Sequence, residues 1–262
     1  MNPFVLLPLI SFCCVSFIMV WVWVWATRIK NAGVVDIFWA FNFTVIAAVI
    51  WVFADGADVR KQLVCALSGL WSLRLGIYLA KRVGSHLQVE EGRYQQLRKE
   101  WAPQVNIKFF IFFQMQALSN VFLAIPFFIT ALNTNPQLSL LEYAAAVLWL
   151  LCILGEAVSD KQLQDFKKNP ANKGKVCNRG LWNYSRHPNY FFQFMMWVAV
   201  FLFSISSPYG WIAIVCPLAI GYLLFKVTGI PLTEEQAIRS KGELYKEYQR
   251  STSMFIPWSK KK

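Results

Sequence analysis

The apolar residues of this chain fall in continuous blocks of about twenty residues, and this pattern limits its fold more than any other feature. A block of that length is what an α-helix needs to cross roughly 30 Å of hydrocarbon. We predict seven such spans: Pro3–Ala26, Val34–Ala54, Gln62–Ala80, Ile107–Leu132, Leu138–Val158, Asn189–Ser206 and Tyr209–Gly229. Charged residues make up only 15% of the chain, against about a quarter of a soluble domain. The sequence therefore predicts an all-α fold, a polytopic membrane bundle of seven transmembrane helices.

The basic residues are unevenly distributed between the loops. Nearly all lysines and arginines lie in the loops after the first, third and fifth spans and in the C-terminal tail. By the positive-inside rule, these segments face the cytoplasm and the N-terminus lies outside. The net charge of +12 is then explained by topology and by contact with the anionic headgroups of the lipid bilayer. We expect no nucleic-acid ligand, because the aromatic residues lie inside the spans rather than beside an exposed basic stripe.

Cysteine and histidine usage excludes two further classes of site. The six cysteines have no metal-ligand spacing and most lie inside spans, while the chain has only two histidines. Cysteine within an apolar span behaves as a small hydrophobic residue. We therefore expect neither a metal site nor a disulfide framework. Since the chain has no internal repeat and no linker, we also expect a single membrane domain, residues 1–262, without an obligate protein partner.

Several polar residues occur at membrane depth, where each costs a few kcal/mol unless it faces a partner or a cavity. They are Asp36, Arg74, Gln114, Gln116, Asn120, Glu156 and Asp160. Individual members have simpler explanations: Arg74 can extend to the cytoplasmic interface, and Asp36 can pair with Arg28 or Lys30. Together, however, they favour a polar cavity that opens to the cytoplasm.

One face of the fifth span carries polar residues at every third or fourth position: Glu156, Asp160, Gln164 and Lys167. Residues at this spacing share one side of a helix. The pattern fits either simple pairing on a solvated helix end or a series of donors and acceptors along a bound polar ligand. The loop that follows, residues 168–175, is basic and rich in turn-forming residues, which suits phosphate.

The segment Arg179–Tyr190 places two arginines, a histidine, two asparagines and two tyrosines in twelve positions beside an apolar span. Pro188 favours the first turn of a helix, which puts Arg186 and His187 at the helix N-terminus. Free N–H groups and the helix dipole attract an anion there, and Asn189 can hydrogen-bond a sugar, an amide or adenine. An interfacial cap explains the tyrosines but not the Arg-His-Pro-Asn core, so ligand binding is favoured.

These motifs resemble the C-terminal membrane domain of the steroid 5α-reductase (3-oxo-5α-steroid 4-dehydrogenase) family, most closely the bacterial branch of that superfamily. The residues that carry the resemblance are Glu156–Asp160, Phe166-Lys167, Gly174–Val176, Gly180–Trp182, Tyr184–Tyr190, Gly229–Leu232, Glu234-Glu235, Tyr245–Tyr248 and Phe255–Trp258. The resemblance implies a membrane enzyme that binds NADPH from the cytoplasmic side. Its substrate would be a lipid enone such as a 3-oxo-Δ4 steroid. A bacterial inner membrane, rather than the endoplasmic reticulum, is the expected location.

Carried over by position, the resemblance implies that residues 138–262 bind the cofactor and residues 1–135 the substrate. The implied or predicted cofactor contacts are Arg74, Glu156, Asp160, Gln164, Lys167, Tyr184, Arg186, His187, Asn189, Tyr190, Glu234, Glu235 and Tyr248. In this interpretation the tail Thr233–Tyr248 folds back, so that Glu234 or Glu235 closes the pocket; alternatively it lies on the headgroups. The final lysines, residues 260–262, are expected to act as an electrostatic tether.

The catalytic end of the site matches the family less well. Steroid reductases hold the substrate ketone with a glutamate on the second span and a tyrosine on the third. Asp36 falls near the glutamate position, but Trp71 stands where the tyrosine is expected. We predict Asp36 as the acid, provided that its surroundings are apolar enough to favour the protonated form, and Tyr78 as the replacement phenol. The predicted substrate contacts are Trp39, Trp71, Gln116 and Asn120.

The same C-terminal motifs also resemble isoprenylcysteine carboxyl methyltransferases, which bind S-adenosylmethionine with a comparable Arg-His-Pro-x-Tyr segment and a following Glu-Glu. The additional N-terminal spans favour the reductase. The basic loop Lys167–Lys175 favours it too, because S-adenosylmethionine has no phosphates. A non-enzymatic sterol or lipid binder is the third alternative.

Overall fold

The computed structural model describes residues 2–260 of the chain. Within that range the chain is helical and contains no strand, which confirms the all-α prediction for these residues. The α-helices are α1 (Pro3–Ile29), α2 (Val34–Phe53), α3 (Asp58–Gly84), α4 (Gly92–Glu100), α5 (Val105–Leu123), α6 (Ile125–Ala131), α7 (Leu140–Lys168), α8 (Pro188–Ser204), α9 (Val215–Tyr222), α10 (Ile230–Lys241) and α11 (Glu243–Ser251). Lys261 and Lys262 of the expected tether lie outside the described residues.

Six helical stretches between residues 2 and 260 are long and apolar enough to cross a membrane. They are Pro3–Ile29, Val34–Phe53, Asp58–Gly84, Val105–Ala131, Leu140–Lys168 and Gly210–Lys241. The predicted span Asn189–Ser206 corresponds to α8, which has 17 residues. Such a helix is about 26 Å long, slightly shorter than the hydrocarbon core. The helices support an integral, multi-pass membrane protein. The count of seven spans and the orientation stay predictions.

The chain divides into two compact units. Unit 1 comprises Met1–Ser139 with Ser207–Gly210, and unit 2 comprises Leu140–Ser206 with Trp211–Lys262. In unit 1, α2 packs against α1, α3 and α5. In unit 2, α7 packs along α8, and α8 packs against α9.

A close helix–helix approach and an aromatic cluster hold unit 2 together. Gly155 on α7 faces the ring of Phe192 on α8, and a Cβ at this glycine would lie 2.5 Å from ring atoms. Phe255 in the C-terminal tail packs edge-on against Phe191 and Phe225, with ring centroids 5.6 and 4.7 Å apart. The tail is thereby fixed to the start of α8 and to the π-helical turn after α9.

Candidate functional site

The segment Arg179–Tyr190 is attached to α7 by its backbone and by one indole. Gly180 has a φ of +57°, and a Cβ there would meet the side chain of Gln162 at 2.5 Å. The oxygen of that same amide accepts a hydrogen bond of 2.8 Å from the N–H of Leu181. The Trp182 indole donates to the carbonyl of Ser159 at 2.9 Å. These contacts explain why residue 180 is a glycine, since this position needs a positive φ and has no room for a side chain.

Arg186 holds the C-terminal tail. Its Nε donates to Glu234 Oε1 at 2.7 Å, and its Nη1 donates to the carbonyls of Gln249 and Thr252 at 3.0 and 2.7 Å. Its backbone N–H donates to the carbonyl of Ser253 at 2.8 Å. Arg186 is 9% exposed, and each of these partners follows α9 in the chain. The guanidinium therefore fixes the tail to the start of α8.

Glu234 is the centre of the polar group that we call the Glu234 cluster: Arg186, His187, Glu234, Tyr245 and Gln249. Besides Arg186, the carboxylate accepts a hydrogen bond of 2.8 Å from Gln249 Nε2. It also lies 3.2 Å from His187 Nε2 and 3.5 Å from the Tyr245 hydroxyl. Burial raises the pKa of the Tyr245 phenol, so it remains a neutral donor. The cluster thus has one carboxylate shared by donors from two parts of unit 2, the start of α8 and α11.

The two adjacent glutamates differ in their surroundings. Glu234 belongs to the cluster, whereas Glu235 forms a surface ion pair with Arg239 one turn along α10. Both side chains of that surface pair are more than half exposed. Of the two glutamates predicted to close the pocket, Glu234 is therefore the one that contacts Arg186 and His187 at the start of α8.

The remaining aromatic residues of the segment differ in exposure. His187 is 1% exposed, and its ring stacks on Tyr190 with centroids 5.4 Å apart and planes 2° apart. Tyr184 is exposed. Tyr248 is buried and donates to the carbonyls of Trp182 and, at 3.2 Å, of Ser185. Burial also raises the pKa of Tyr248. Tyr248 thus contributes to the attachment of the tail.

The predicted polar face of α7 runs from the interior of unit 2 to its surface. Glu156 and Asp160 are buried, Gln164 is half-buried and Lys167 is exposed. Asn189 Nδ2 donates to Asp160 Oδ1 at 3.3 Å. That contact links the polar face of α7 to the first turn of α8, and so brings together two motifs that the sequence placed 29 residues apart.

An open groove of about 320 Å³ lies at the end of α7. It is formed by the last turns of α7, the loop that follows and the end of α10. Five lysines line it: Lys167, Lys168, Lys173, Lys175 and Lys241. None of the lining residues, all within the described part of the chain, is acidic. We call this feature the basic groove.

The resemblance implies NADPH, and the donors in unit 2 can be compared with what that cofactor needs. Its phosphates require positive charge and hydrogen-bond donors, which the lysines of the basic groove provide. Its ribose and amide groups require acceptors and amides, which Asp160 and Asn189 provide. The residues present therefore fit the cofactor, although Arg186 is engaged by the tail.

In unit 1, Asp36 lies in the first turn of α2 and accepts hydrogen bonds from α4. The Tyr94 hydroxyl donates to Asp36 Oδ1 at 2.8 Å, and the Arg93 guanidinium donates to Oδ2. Arg82 Nη2 lies 4.0 Å from the same Oδ2. The surroundings of Asp36 are therefore charged rather than apolar. The phenol bonded to it is Tyr94, whereas Tyr78 lies half-buried on α3.

Tyr94 was missed by sequence reasoning, which searched the spans and not the loop between the third and fourth. It is 1% exposed, and burial followed by the Asp36 carboxylate raises its pKa. The available signal was a lone tyrosine among charged residues in a nine-residue helix. A polar helix with one buried aromatic residue is typical of a segment that is packed onto a bundle.

The predicted substrate residues Trp39, Trp71 and Asn120 come together in unit 1. Trp71 is buried, and its ring centroid lies 6.4 Å from that of Trp39. Trp39 donates from its indole to Ser119 Oγ, and its carbonyl accepts from Asn120 Nδ2, both at 2.9 Å. Asn120 Oδ1 accepts from Asn42 at 2.9 Å. These hydrogen bonds form a continuous buried polar network between α2 and α5.

Two other predicted contacts also lie in unit 1. Gln116 is half-buried on α5, and its carbonyl accepts from Ser119 at 2.7 Å. Arg74 is half-buried on α3, three residues after Trp71. Of the predicted cofactor contacts, Arg74 is thus the one that belongs to unit 1.

Comparison with known proteins gives one family and one relative. The model of a family described as "Protein of unknown function (DUF1295)" matches residues 22–252. An uncharacterized protein of Schizosaccharomyces pombe is 25% identical over 289 aligned residues, which cover 98% of this chain and 80% of the yeast protein. No solved structure gives a significant match.

Proposed function

The chain belongs to the DUF1295 family of the steroid 5α-reductase-like superfamily, and from that premise we propose that it is a membrane-bound, NADPH-dependent reductase. The bond reduced is a carbon–carbon double bond conjugated to a carbonyl in a lipid enone, such as a 3-oxo-Δ4 steroid. When bound, the cofactor would supply a hydride for the β-carbon, and the α-carbon would take a proton from solvent.

The observation that carries this proposal is the pairing of two features on α7. Asp160 is hydrogen-bonded to Asn189 at the start of α8, and Lys167 of the basic groove lies seven residues further along the same helix. Seven helical residues correspond to about 10 Å. One elongated ligand with both hydroxyl and phosphate groups matches this arrangement better than a ligand with either group alone.

In this proposal the residues of unit 2 bind the cofactor. Asp160 and Asn189 hydrogen-bond its sugar or amide groups, and the lysines of the basic groove neutralise its phosphates. The Glu234 cluster acts indirectly, because it holds the tail against the start of α8. A rigid α8 start keeps Asn189 in place for the ligand.

Polarisation of the substrate carbonyl is assigned to unit 1. Asp36 orients the Tyr94 phenol, whose hydroxyl donates to the carboxylate and would donate instead to the carbonyl oxygen of a bound substrate, where a hydrogen bond stabilises the charge that develops. Tyr78 on α3 is the second candidate for the phenol. Trp39, Trp71, Gln116 and Asn120 are proposed to shape the apolar substrate site.

The direct test is NADPH consumption by the purified protein in detergent when a 3-oxo-Δ4 steroid is added. The control substrate is the same steroid without the double bond. Oxidation of NADPH only with the enone, with formation of the saturated ketone, supports the proposal. Absence of oxidation across steroid and non-steroid lipid enones, under conditions in which NADPH binds, argues against reductase activity.

Replacement of Asp36 by Asn tests the assignment of Asp36 as the group that orients the phenol. Loss of a group that assists proton transfer or carbonyl polarisation typically lowers the rate by about a hundredfold or more. We expect at least that loss in turnover, with NADPH affinity unchanged. The matched control is Asp58→Asn, which removes an exposed carboxylate at the start of α3. Turnover of the Asp36 variant equal to that of the control would remove Asp36 from the mechanism.

One observation keeps a methyltransferase as the second candidate. The contact between Arg186 and Glu234 joins the two motifs that this chain shares with isoprenylcysteine carboxyl methyltransferases. S-adenosylmethionine carries no phosphate and therefore makes no use of the basic groove. Binding of S-adenosylmethionine with methyl transfer to a carboxylate would favour this candidate. A protein that responds to neither cofactor would fit a lipid or sterol binder.

A further inference from the structure

The basic groove collects lysines from parts of unit 2 that are far apart in sequence. Lys173 and Lys175 lie in the loop after α7, and Lys241 is the last residue of α10. The loop geometry is set by a short helical turn, in which Asn172 Nδ2 donates to the carbonyl of Phe166 at 2.9 Å. The fold therefore brings a third positive charge to a loop that is already basic.

These lysines differ from others in unit 2 in having no nearby carboxylate. Lys161 pairs with Asp165 at 2.7 Å, and Lys246 pairs with Glu243 at 2.6 Å. Between residues 2 and 260, no carboxylate lies within ion-pair distance of Lys173, Lys175 or Lys241. Like charges that line one groove repel each other, so an anion bound between them would relieve that repulsion.

We propose that the basic groove binds a phosphate monoester, namely the 2′-phosphate of the dinucleotide, through Lys173, Lys175 and Lys241. This inference rests on the proposed function and specifies the form of cofactor used. A phosphate monoester carries a charge of about −1.5 to −2 at neutral pH, whereas each phosphate of a dinucleotide bridge is a singly charged diester. The positive charge of the lysines in the groove therefore matches the monoester. Lysine, a compact point charge, suits such a group.

The length of α7 favours a water-soluble ligand over a lipid headgroup. The helix has 29 residues and is therefore about 43 Å long, against about 30 Å of hydrocarbon. Its last turns, which carry Lys167 and Lys168, project about 13 Å beyond the hydrocarbon edge when Leu140 lies at the opposite edge. A groove at that height lies above the lipid phosphates and opens to water.

The binding test uses adenosine 2′,5′-bisphosphate as the probe. Adenosine 5′-monophosphate is the comparison ligand, because its one phosphate stands at the position of the dinucleotide bridge and it lacks the 2′ group. Affinities are measured by titration calorimetry on the full chain in detergent. We expect two variants, Lys173→Ala/Lys175→Ala and Lys241→Ala, each to bind the bisphosphate with about tenfold lower affinity. Their affinity for the monophosphate should be unchanged. Lys161→Ala, on α7 and paired with Asp165, is the control and should bind both probes like the natural chain.

The alternative, that the groove binds the phosphate of a lipid headgroup, is tested in nanodiscs. Neutral phosphatidylcholine is compared with a mixture that contains phosphatidylglycerol, and the lipid retained by each variant is measured. If the groove binds the nucleotide, both nanodiscs give the same bisphosphate affinity. Loss of retained phosphatidylglycerol in the lysine variants, with the bisphosphate affinity unchanged, would overturn the inference and assign the groove to a headgroup.

Failure of this inference and failure of the proposed function give different results. If the lysine variants oxidise NADPH with an unchanged preference over NADH, the groove is excluded while the reductase stands. If no enone is reduced but bisphosphate binding still depends on the lysines, the reductase is excluded while the phosphate site stands.

Discussion

The Glu234 cluster and the basic groove are both rich in basic residues and both belong to unit 2, but their charges are used in opposite ways. In the cluster, Arg186 donates to Glu234 and to two carbonyls of the tail. In the groove, the lysines of the loop and of α10 are gathered without an acidic residue. The charge of the cluster is thus neutralised within the fold, and that of the groove is available to a ligand.

This difference shows why a polar motif and a ligand site do not always coincide. The Arg-His-Pro-Asn core was the strongest polar signal in the sequence, yet its arginine holds the tail. Ligand contacts from this segment fall instead to Asn189, which faces Asp160. Substitutions should therefore separate the two regions, with the cluster controlling stability and the groove controlling binding.

The largest effect is expected for Arg186→Met. It leaves the Glu234 carboxylate, which is only 14% exposed, without its arginine and frees two carbonyls. Removal of one partner from a buried ion pair typically costs about 3–5 kcal/mol. Thermal unfolding in detergent should show a large drop in Tm. Arg239→Met, which removes an exposed pair on α10, should change stability by less than about 1 kcal/mol. Equal melting temperatures for the two variants would contradict the distinction between cluster and surface.

A smaller effect is expected for Gly180→Ala, which tests how the segment Arg179–Tyr190 is attached to α7. Alanine at a positive φ costs about 1–2 kcal/mol, and the added Cβ would also collide with Gln162. Gly174→Ala is the control, because this glycine has a φ of +78° but no atom within 4 Å of the added Cβ. We expect both variants to lose stability, and Gly180→Ala to lose more. A larger loss at Gly174 would indicate that the contact with Gln162 is not restrictive.

The smallest effect on stability is expected for Lys173→Ala/Lys175→Ala. The two side chains make no ion pair within the described part of the chain, and such surface substitutions usually change stability by less than about 0.5 kcal/mol. The Tm without ligand should therefore match that of the natural chain, or rise slightly as repulsion is relieved. A clear loss of Tm would show that these lysines support the fold, and would remove the contrast with the Glu234 cluster.

Six membrane-length helical stretches could be predicted from the sequence, whereas the partners of polar residues could not. A helix that crosses a bilayer needs a continuous apolar block, so block length alone located the helices. The partners of the Arg186 side chain lie 48 to 66 residues later in the chain, and no helical spacing connects residues so far apart. Similarly, Asp36 is bonded to Tyr94, 58 residues away on a helix outside the spans.

Local spacing was informative where one helix carries the pattern. The polar face of α7 follows directly from residues that recur every three or four positions. Its contact with Asn189 required the packing of α7 on α8, which depends on the close approach at Gly155. The basic loop of the groove could be predicted, because its lysines are close together in sequence. The contribution of Lys241 could not, because only the fold brings this residue to the loop.

The central claim is that unit 2 binds a phosphorylated dinucleotide, and ligand-dependent thermal unfolding tests it most directly. The purified chain is heated with NADPH, NADH or S-adenosylmethionine, and the Tm is compared with that of the free protein. A ligand present at 100 times its dissociation constant stabilises by about 2.7 kcal/mol. The account predicts that NADPH raises the Tm most, that NADH raises it less, and that S-adenosylmethionine leaves it unchanged. A rise with S-adenosylmethionine and none with NADPH would contradict it.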